Sequence, residues 1–285
     1  MTASAKLRPL LTYVHAHLDE DLGLATLSRR AGLSSTHLHR VFKSSLGETP
    51  RDHVERLRVE LAAFRLLIHD ATHLRIALDS GFRNQETFIR AFRRRFGVPP
   101  SEYRAFVRSP AHALPPRRKA PGSPQPFELS ATRVVRLRSM NLAFIRHVGP
   151  YETVPDTLFD ELRDWALDRS LSDPPVWMGI GHDAPGATRP EHLRFDAALV
   201  VLEPFESDGR ICHQRFEGGE FAATTHSGPL DTLPLAYASI FPRALTLSGY
   251  RLIGLPAVEI YRGSTTSHGL RPDQTDIYLP VSREA

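Results

Sequence analysis

Through the first hundred positions apolar residues recur at helical spacing. Leu7, Leu10, Leu11, Val14 and Leu18 return every three or four residues, and Val54, Leu57, Leu61, Phe64 and Ile68 do the same over a longer span. Each series gathers its apolar side chains on one face of a helix. Thr49-Pro50 predicts where the longer helix starts, with Thr as N-cap and Pro in the first turn. Beyond residue 126 the pattern changes. Strand-like runs (Met140–His147, Leu193–Leu202, Leu255–Tyr261), bounded by Gly or Pro, alternate with helical ones.

The two regimes are separated by SPAHALPPRRKAPGSPQP, residues 109–126, of which six of 18 are Pro. Proline removes backbone donors and fixes φ, so neither helix nor sheet runs through it. It reads as a semi-stiff linker between domains at 1–108 and 127–285. Its basic cluster, Arg117, Arg118 and Lys119, fits a solvated patch and a phosphate contact equally well. The charge changes sign at the same place. Through residue 120 there are 21 Lys and Arg against 11 Asp and Glu, and from 121 onward 15 against 21, within a net charge of +4. A basic half suits a polyanion partner; an acidic half does not.

Composition narrows the class. With 285 residues, 41% of them hydrophobic and 24% charged, the chain has room for two globular domains. Its longest apolar run, Ala197–Leu202, is too short to cross a bilayer, which takes about 20 residues. Met1–Leu10 holds no signal-peptide core, so the expected compartment is the cytoplasm, at the nucleoid. Cys212 is the single cysteine, which excludes an intrachain disulfide and a cysteine-rich zinc site.

The basic half contains a repeat. AGLSSTHLHRVFKSSLGETP (31–50) and SGFRNQETFIRAFRRRFGVPP (80–100) align at an offset of 50, matching Arg40 to Arg90, Phe42 to Phe92, Gly47 to Gly97 and Pro50 to Pro100. Gly32 and Gly81, with a one-residue slip, allow a sharp turn between helices. Each copy therefore reads as a helix-turn-helix, with second helices over about 35–45 and 85–95. Leu38, Val41 and Phe42 face inward in one, Phe88, Ala91 and Phe92 in the other. The outward positions carry Ser35, Thr36, His39, Arg40 and Lys43, then Gln85, Glu86, Thr87, Arg90, Arg93 and Arg94. Arg suits guanine, Gln suits adenine, and spare cations suit phosphate.

On these residues, above all IALDSGFRNQETFIRAFRRRFGVPPSEYR (76–104), the chain from about 7 to 108 resembles the AraC-type (AraC/XylS) DNA-binding domain. The resemblance implies an all-α double helix-turn-helix on a connecting helix (about Pro50–His69), with two readers in successive major grooves of promoter DNA, about 34 Å apart. It places Thr36, His39 and Arg40 of the first reader, and Gln85, Glu86, Thr87 and Arg90 of the second, at the bases.

The acidic half repeats too. HVGPYETVP (147–155) matches HSGPLDTLP (226–234) at an offset of 79, each followed by an amphipathic helix carrying Leu158, Leu162 and Trp165 or Tyr237, Ile240 and Leu245. A duplicated α+β strand–helix–strand–strand unit follows, with its helices on one sheet face. The paired histidines read as structural, bonding a carbonyl at each strand end. No nucleotide loop, nucleophile elbow or metal-ligand spacing is present, so no metal or cofactor is expected. In PAVEIYRG (256–263), alternation sets Val258 and Ile260 on one face, and Glu259 and Tyr261 on the other. If the first face packs on the helices, Glu259 shares the opposite face with an aromatic, a setting for a lipophilic cation. An exposed strand Glu is the plainer reading.

Residues 127–285 resemble a GyrI-like small-molecule-binding domain, on HVGPYETVPDTLFDELRDW, HDAPG (182–186), EHLRFDAALVV, HSGPLDTLP, PAVEIY and TDIYLPV. By that resemblance Glu259 lies in a groove between pseudo-symmetric halves and recognises cationic, aromatic compounds, with Tyr151, Trp177, Phe195, Tyr261 and Tyr278 as walls. Ala184 stands where the family often has an acid. The leading expectation is a transcription regulator that binds promoter DNA, senses a small-molecule effector and contacts RNA polymerase. An alternative makes the second half a hydrolase of reactive electrophiles with Glu259 as general base, although the sequence names no second polar group for it. A third makes it a protein-binding module.

Overall fold

In the computed structural model the described residues are 3–107 and 126–283, apart from 168, 170, 172, 173, 186, 208, 255, 264, 267, 268, 271 and 272. Except for Pro126, the stretch expected to be a linker lies outside them, as does Gly186 of the HDAPG turn. The chain forms two compact units.

The helical unit holds α1 (Ala3–Ala16), α2 (Leu24–Ala31), α3 (Ser35–Leu46), α4 (Pro50–Ile68), α5 (His73–Asp79), α6 (Gln85–Phe96) and α7 (Pro100–Val107). The offset of 50 seen in the sequence is an offset of whole helices, since α3 and α6 match end for end. Both carry a side-chain N-cap: Ser34 accepts from the His37 amide and Asn84 from the Thr87 amide. Both end on a glycine, Gly47 (φ 73°) and Gly97 (φ 77°). The inward positions are buried as expected, Leu38, Phe42, Phe88 and Phe92 completely.

Helix α4 ties the two helix-turn-helix units together. Arg58 donates to the Leu18 carbonyl at 2.8 Å, and Arg65 donates to Ser80 Oγ at 3.1 Å. Buried Glu60 accepts from Arg56 of its own helix at 3.2 Å and from Arg95 of α6 at 2.6 Å. Gly81, at φ 84°, leaves no room for a side chain: a Cβ there would collide with the Leu18 carbonyl and sit 2.5 Å from Arg58 Nε. The glycine of the second turn thus serves the close approach as well as the bend.

The second unit is built on a ten-stranded sheet. Its strands are β1 (Glu128–Leu129), β2 (Arg133–Leu137), β3 (Met140–Val148), β4 (Trp177–Gly181), β5 (Arg194–Val201), β6 (Cys212–Phe216), β7 (Gly219–Ser227), β8 (Tyr250–Leu252), β9 (Ala257–Arg262) and β12 (Gln274–Arg283). A separate small hairpin joins β10 (Thr265–Thr266) to β11 (Gly269–Leu270). Helix α8 (Thr157–Ala166) follows β3, and α9 (Leu233–Leu245) follows β7. The main order is β1-β7-β12-β9-β4-β5-β3-β6, with β2 also on β7 and β8 on β12.

The duplication is visible in that order. β3-α8-β4-β5 and β7-α9-β9-β12 are the two copies, and β7-β12-β9 followed by β4-β5-β3 reads the same from either end. The copies meet where β4 and β9 pair antiparallel, with Gly179 opposite Glu259. The relation is that of a two-fold axis through this pair, so each residue has a counterpart in the other copy.

Candidate functional site

In antiparallel ladders, residues directly opposite share a face. Glu259 therefore shares its face with Gly179 on β4 and Ile277 on β12, and Tyr261 shares it with Trp177 and Thr275. From β4 the same face continues through Gly181 to Phe195 on β5. Side chains from both helices reach it. Tyr237 of α9 donates its hydroxyl to Glu259 Oε1 at 2.8 Å. Phe159 of α8 stands edge-on to Tyr261 and to Trp177, with centroids 5.6 and 6.2 Å away. The conditional expectation about the strand is thereby corrected: the helices cover the Glu259 face, not the Val258–Ile260 face. Strand alternation separates two faces without saying which one a helix will choose.

Glu259 is 8% exposed. Tyr237 holds one carboxylate oxygen, and Tyr261 donates to the other at 2.6 Å. No ion pair to Glu259 is found among the described residues. Burial pushes its carboxyl up from the usual range, against the two hydrogen bonds that favour the anion. Burial, followed by the nearby carboxylate, also raises both phenols well above their ordinary range. They stay protonated and serve as donors. Tyr151, on the turn after β3, packs edge-on to Phe195 at 6.2 Å and donates to the Asp183 carbonyl at 2.8 Å. A carboxylate roofed and walled by Tyr237, Tyr261, Phe159, Trp177, Phe195 and Tyr151 can attract a flat or lipophilic cation by charge and by ring faces.

Gly179 makes this arrangement possible. A Cβ there would strike the Tyr261 hydroxyl and lie 2.7 Å from Phe195 Cζ. At the axis, then, one copy supplies the acid and the other supplies space.

Tyr278 does not join the group. It pairs with Val258, so its ring lies on the opposite face, edge-on to Phe221, with its hydroxyl 3.4 Å from Asp276. One residue of register, Ile277 rather than Tyr278 beside Glu259, decides this. Conversely, Tyr237, Phe159 and Gly179 were missed as site residues. Tyr237 was legible as part of an amphipathic helix; nothing local in the sequence showed that it reaches Glu259.

The repeated histidines are structural, through a partner other than the expected carbonyl. His226, fully buried, sits 2.7 Å from Thr232 Oγ1, whose hydroxyl donates to the Pro229 carbonyl. The threonine has one hydrogen, so it accepts from His226 Nε2–H. His147 faces Thr153 in the same way at 3.4 Å, and Thr153 donates to Pro150. Both threonines stand in the repeated motif.

On the opposite sheet face lies another duplicated feature. Fully buried Asp196 accepts two bonds from Arg146, at 2.6 and 2.7 Å, and meets His182 at 2.7 Å. Its counterpart Asp276 takes Arg262 at 2.5 Å and the Thr225 hydroxyl at 2.6 Å. Burial opposes ionisation of Asp196, but Arg146 and His182 outweigh it and hold the carboxyl far below the usual range. Asp183 of the HDAPG turn is saturated by Arg194, at 2.5 and 2.7 Å with a backbone bond at 2.9 Å. These charges are satisfied internally and bind the strands together. Among the described residues no group of three or more His, Cys, Asp or Glu is placed to hold a metal ion, and no helix is long and apolar enough to cross a membrane.

In the helical unit, Ser35, Thr36, His39, Arg40 and Lys43 are exposed on α3, and Glu86, Arg90, Arg93 and Arg94 on α6; Gln85 and Thr87 are half-buried. Several have partners within the chain. Lys43 donates to the Gly47 carbonyl, Thr87 bonds Asn84, Glu86 lies 3.8 Å from Arg90, and Arg94 pairs with Glu55 of α4.

Compared with known families, residues 130–282 match the GyrI-like small molecule binding domain, and residues 27–105 match a helix-turn-helix domain. The chain is 25% identical to the transcriptional regulator Rob of Salmonella typhimurium over 99% of its own length and all of that protein. It is 25% identical to the right origin-binding protein of Escherichia coli over 80% of each chain. It is 33% identical to the regulatory protein SoxS of Escherichia coli over 34% of this chain and 92% of that one.

Proposed function

The chain belongs to the family of GyrI-like small-molecule-binding domains, here joined to an AraC-type helix-turn-helix region, and from that premise we propose a one-component transcription regulator. It binds promoter DNA through α3 and α6 and binds a cationic aromatic effector at Glu259. One observation carries the effector reading: a buried carboxylate is held by two phenols, with four further aromatic rings nearby and no ion pair among the described residues. A buried anion lacking a counter-charge is costly, and a ligand that brings the charge relieves that cost.

On this reading Glu259 supplies the charge, Tyr261 and Tyr237 orient it, and Tyr151, Trp177, Phe195 and Phe159 form the walls. Ser35, Thr36, His39, Arg40 and Lys43 face one major groove, and Gln85, Glu86, Thr87, Arg90, Arg93 and Arg94 the next. Domains at 1–108 and 127–285 are tethered by 109–126. The regulator works in the cytoplasm, and effector binding alters its contact with RNA polymerase. The full-length match to the transcriptional regulator Rob and the partial match to the regulatory protein SoxS support the regulatory reading.

The test uses the full chain. Tetraphenylphosphonium and a neutral aromatic of the same size are titrated calorimetrically into the protein and into Glu259→Gln. The proposal expects the cation alone to bind tightly and Glu259→Gln to abolish the preference; equal affinities before and after refute it. The hydrolase alternative gains one observation, because the two phenols are the second polar group that general acid–base chemistry at Glu259 requires. Recovery of a chemically altered ligand after incubation would favour it.

A further inference from the structure

The first and second readers differ in one respect that their shared offset makes visible. Glu86, Arg90 and Arg94 stand four residues apart on α6, so they form one stripe along the helix. Arg90 and Arg94 are each about two-thirds exposed. Each faces a carboxylate: Arg90 lies 3.8 Å from Glu86, and Arg94 pairs with Glu55, which projects from α4. Arg95 is different, because its partner Glu60 is buried. On α3 the position equivalent to Arg94 is Ser44, whose hydroxyl donates to the Val41 carbonyl. The first reader therefore has no such pair.

Resting on the DNA-binding reading above, we propose that Glu55 is an internal stand-in for a DNA phosphate, occupying Arg94 until DNA displaces it. The guanidinium fork takes carboxylate and phosphate oxygens in the same geometry. Glu55 is about one-third exposed and Arg94 more so, hence their pair is largely solvent-screened and open to exchange. A phosphate can take Arg94 while Glu55 turns to water. The consequence is selectivity. The second reader gains less from phosphates alone, because contacts through Arg90 and Arg94 must first break an internal pair. Base-edge contacts then carry a larger share of its binding.

A purely structural role for the pair, pinning α6 onto α4, predicts the opposite, and that makes the proposal testable. Full-length protein, Glu55→Gln, Arg94→Gln and the double variant are measured for binding to a random-sequence duplex across a salt series. Circular dichroism and thermal melts check that each variant folds. If Glu55 competes with phosphate, Glu55→Gln binds tighter, on the order of two- to five-fold at low salt. Its plot of log K against log[salt] keeps the parent's slope, because Arg94 meets the same phosphate in both complexes, whereas Arg94→Gln flattens the slope by roughly 0.9, one phosphate's worth. Arg94→Gln cancels the gain in affinity in the double variant. If the pair is a tie, Glu55→Gln binds more weakly, and the proposal is overturned; unchanged affinity overturns it as well. A parent protein that shows no salt-dependent duplex binding would instead remove the DNA-binding reading itself, and this inference with it.

Discussion

At the scale of single residues, Glu259 and Gly179 dominate. Glu259 is buried beneath α8 and α9 with neutral donors only. Its raised carboxyl means the folded chain holds that proton more tightly than the unfolded one. The stability this contributes is present below the ordinary glutamate range and is lost as pH rises through the raised value. Glu259→Gln should therefore raise the Tm of the ligand-free protein near neutrality and leave it unchanged in acid; melts at several pH values read this directly. The same change should weaken a cationic ligand by roughly 2–5 kcal/mol, the range for removing one partner of a buried charge pair. Cation affinity of the parent should fall as pH drops, because protonation removes the charge. Gly179→Ala should destabilise by about 1–3 kcal/mol, since the added carbon displaces Tyr261 and Phe195 from a packed site. A loss confined to ligand affinity, with unchanged stability, would contradict that packing argument.

At the scale of elements, the reader helices depend on their caps. Ser34→Ala and Asn84→Ala each remove a side-chain acceptor from an exposed helix start, and each should cost about 1 kcal/mol in denaturant unfolding. The duplicated Asp196 and Asp276 clusters hold neighbouring strands together. Asp196→Asn leaves Arg146 without its buried counter-charge and should cost about 3–5 kcal/mol. Acid should act on the helical unit through Glu48. Burial opposes its ionisation, but hydrogen bonds from His53 and Arg56 hold its carboxyl at about 2. Its contribution is complete above the ordinary glutamate range and disappears as pH falls through that value, which acid titration of Glu48→Gln against the parent, followed by helical circular dichroism, would reveal.

For the whole molecule, the expected consequence is linkage. If five to seven phosphates are neutralised, log K for duplex DNA should fall against log[salt] with a slope of roughly −4.5 to −6. Any factor by which an effector changes DNA affinity must equal the factor by which DNA changes effector affinity. Titrating each ligand with and without the other checks the equality, and agreement at unity would mean that the effector acts downstream of DNA binding.

Periodicity, composition and internal repetition were enough to divide the chain by charge, to place α3, α4 and α6 almost to the residue, and to name both duplications. These properties are local: caps, turn glycines and apolar spacing act within a few positions of one another. Glu259 and Tyr261 could be put on one face of a strand for the same reason. The sheet decided the rest. Which face the helices cover, which of Ile277 and Tyr278 lies beside Glu259, and that Gly179 yields its space to Tyr261 all depend on pairing between strands distant in sequence. A shift of one residue in that register exchanges the faces while leaving every local pattern unaltered.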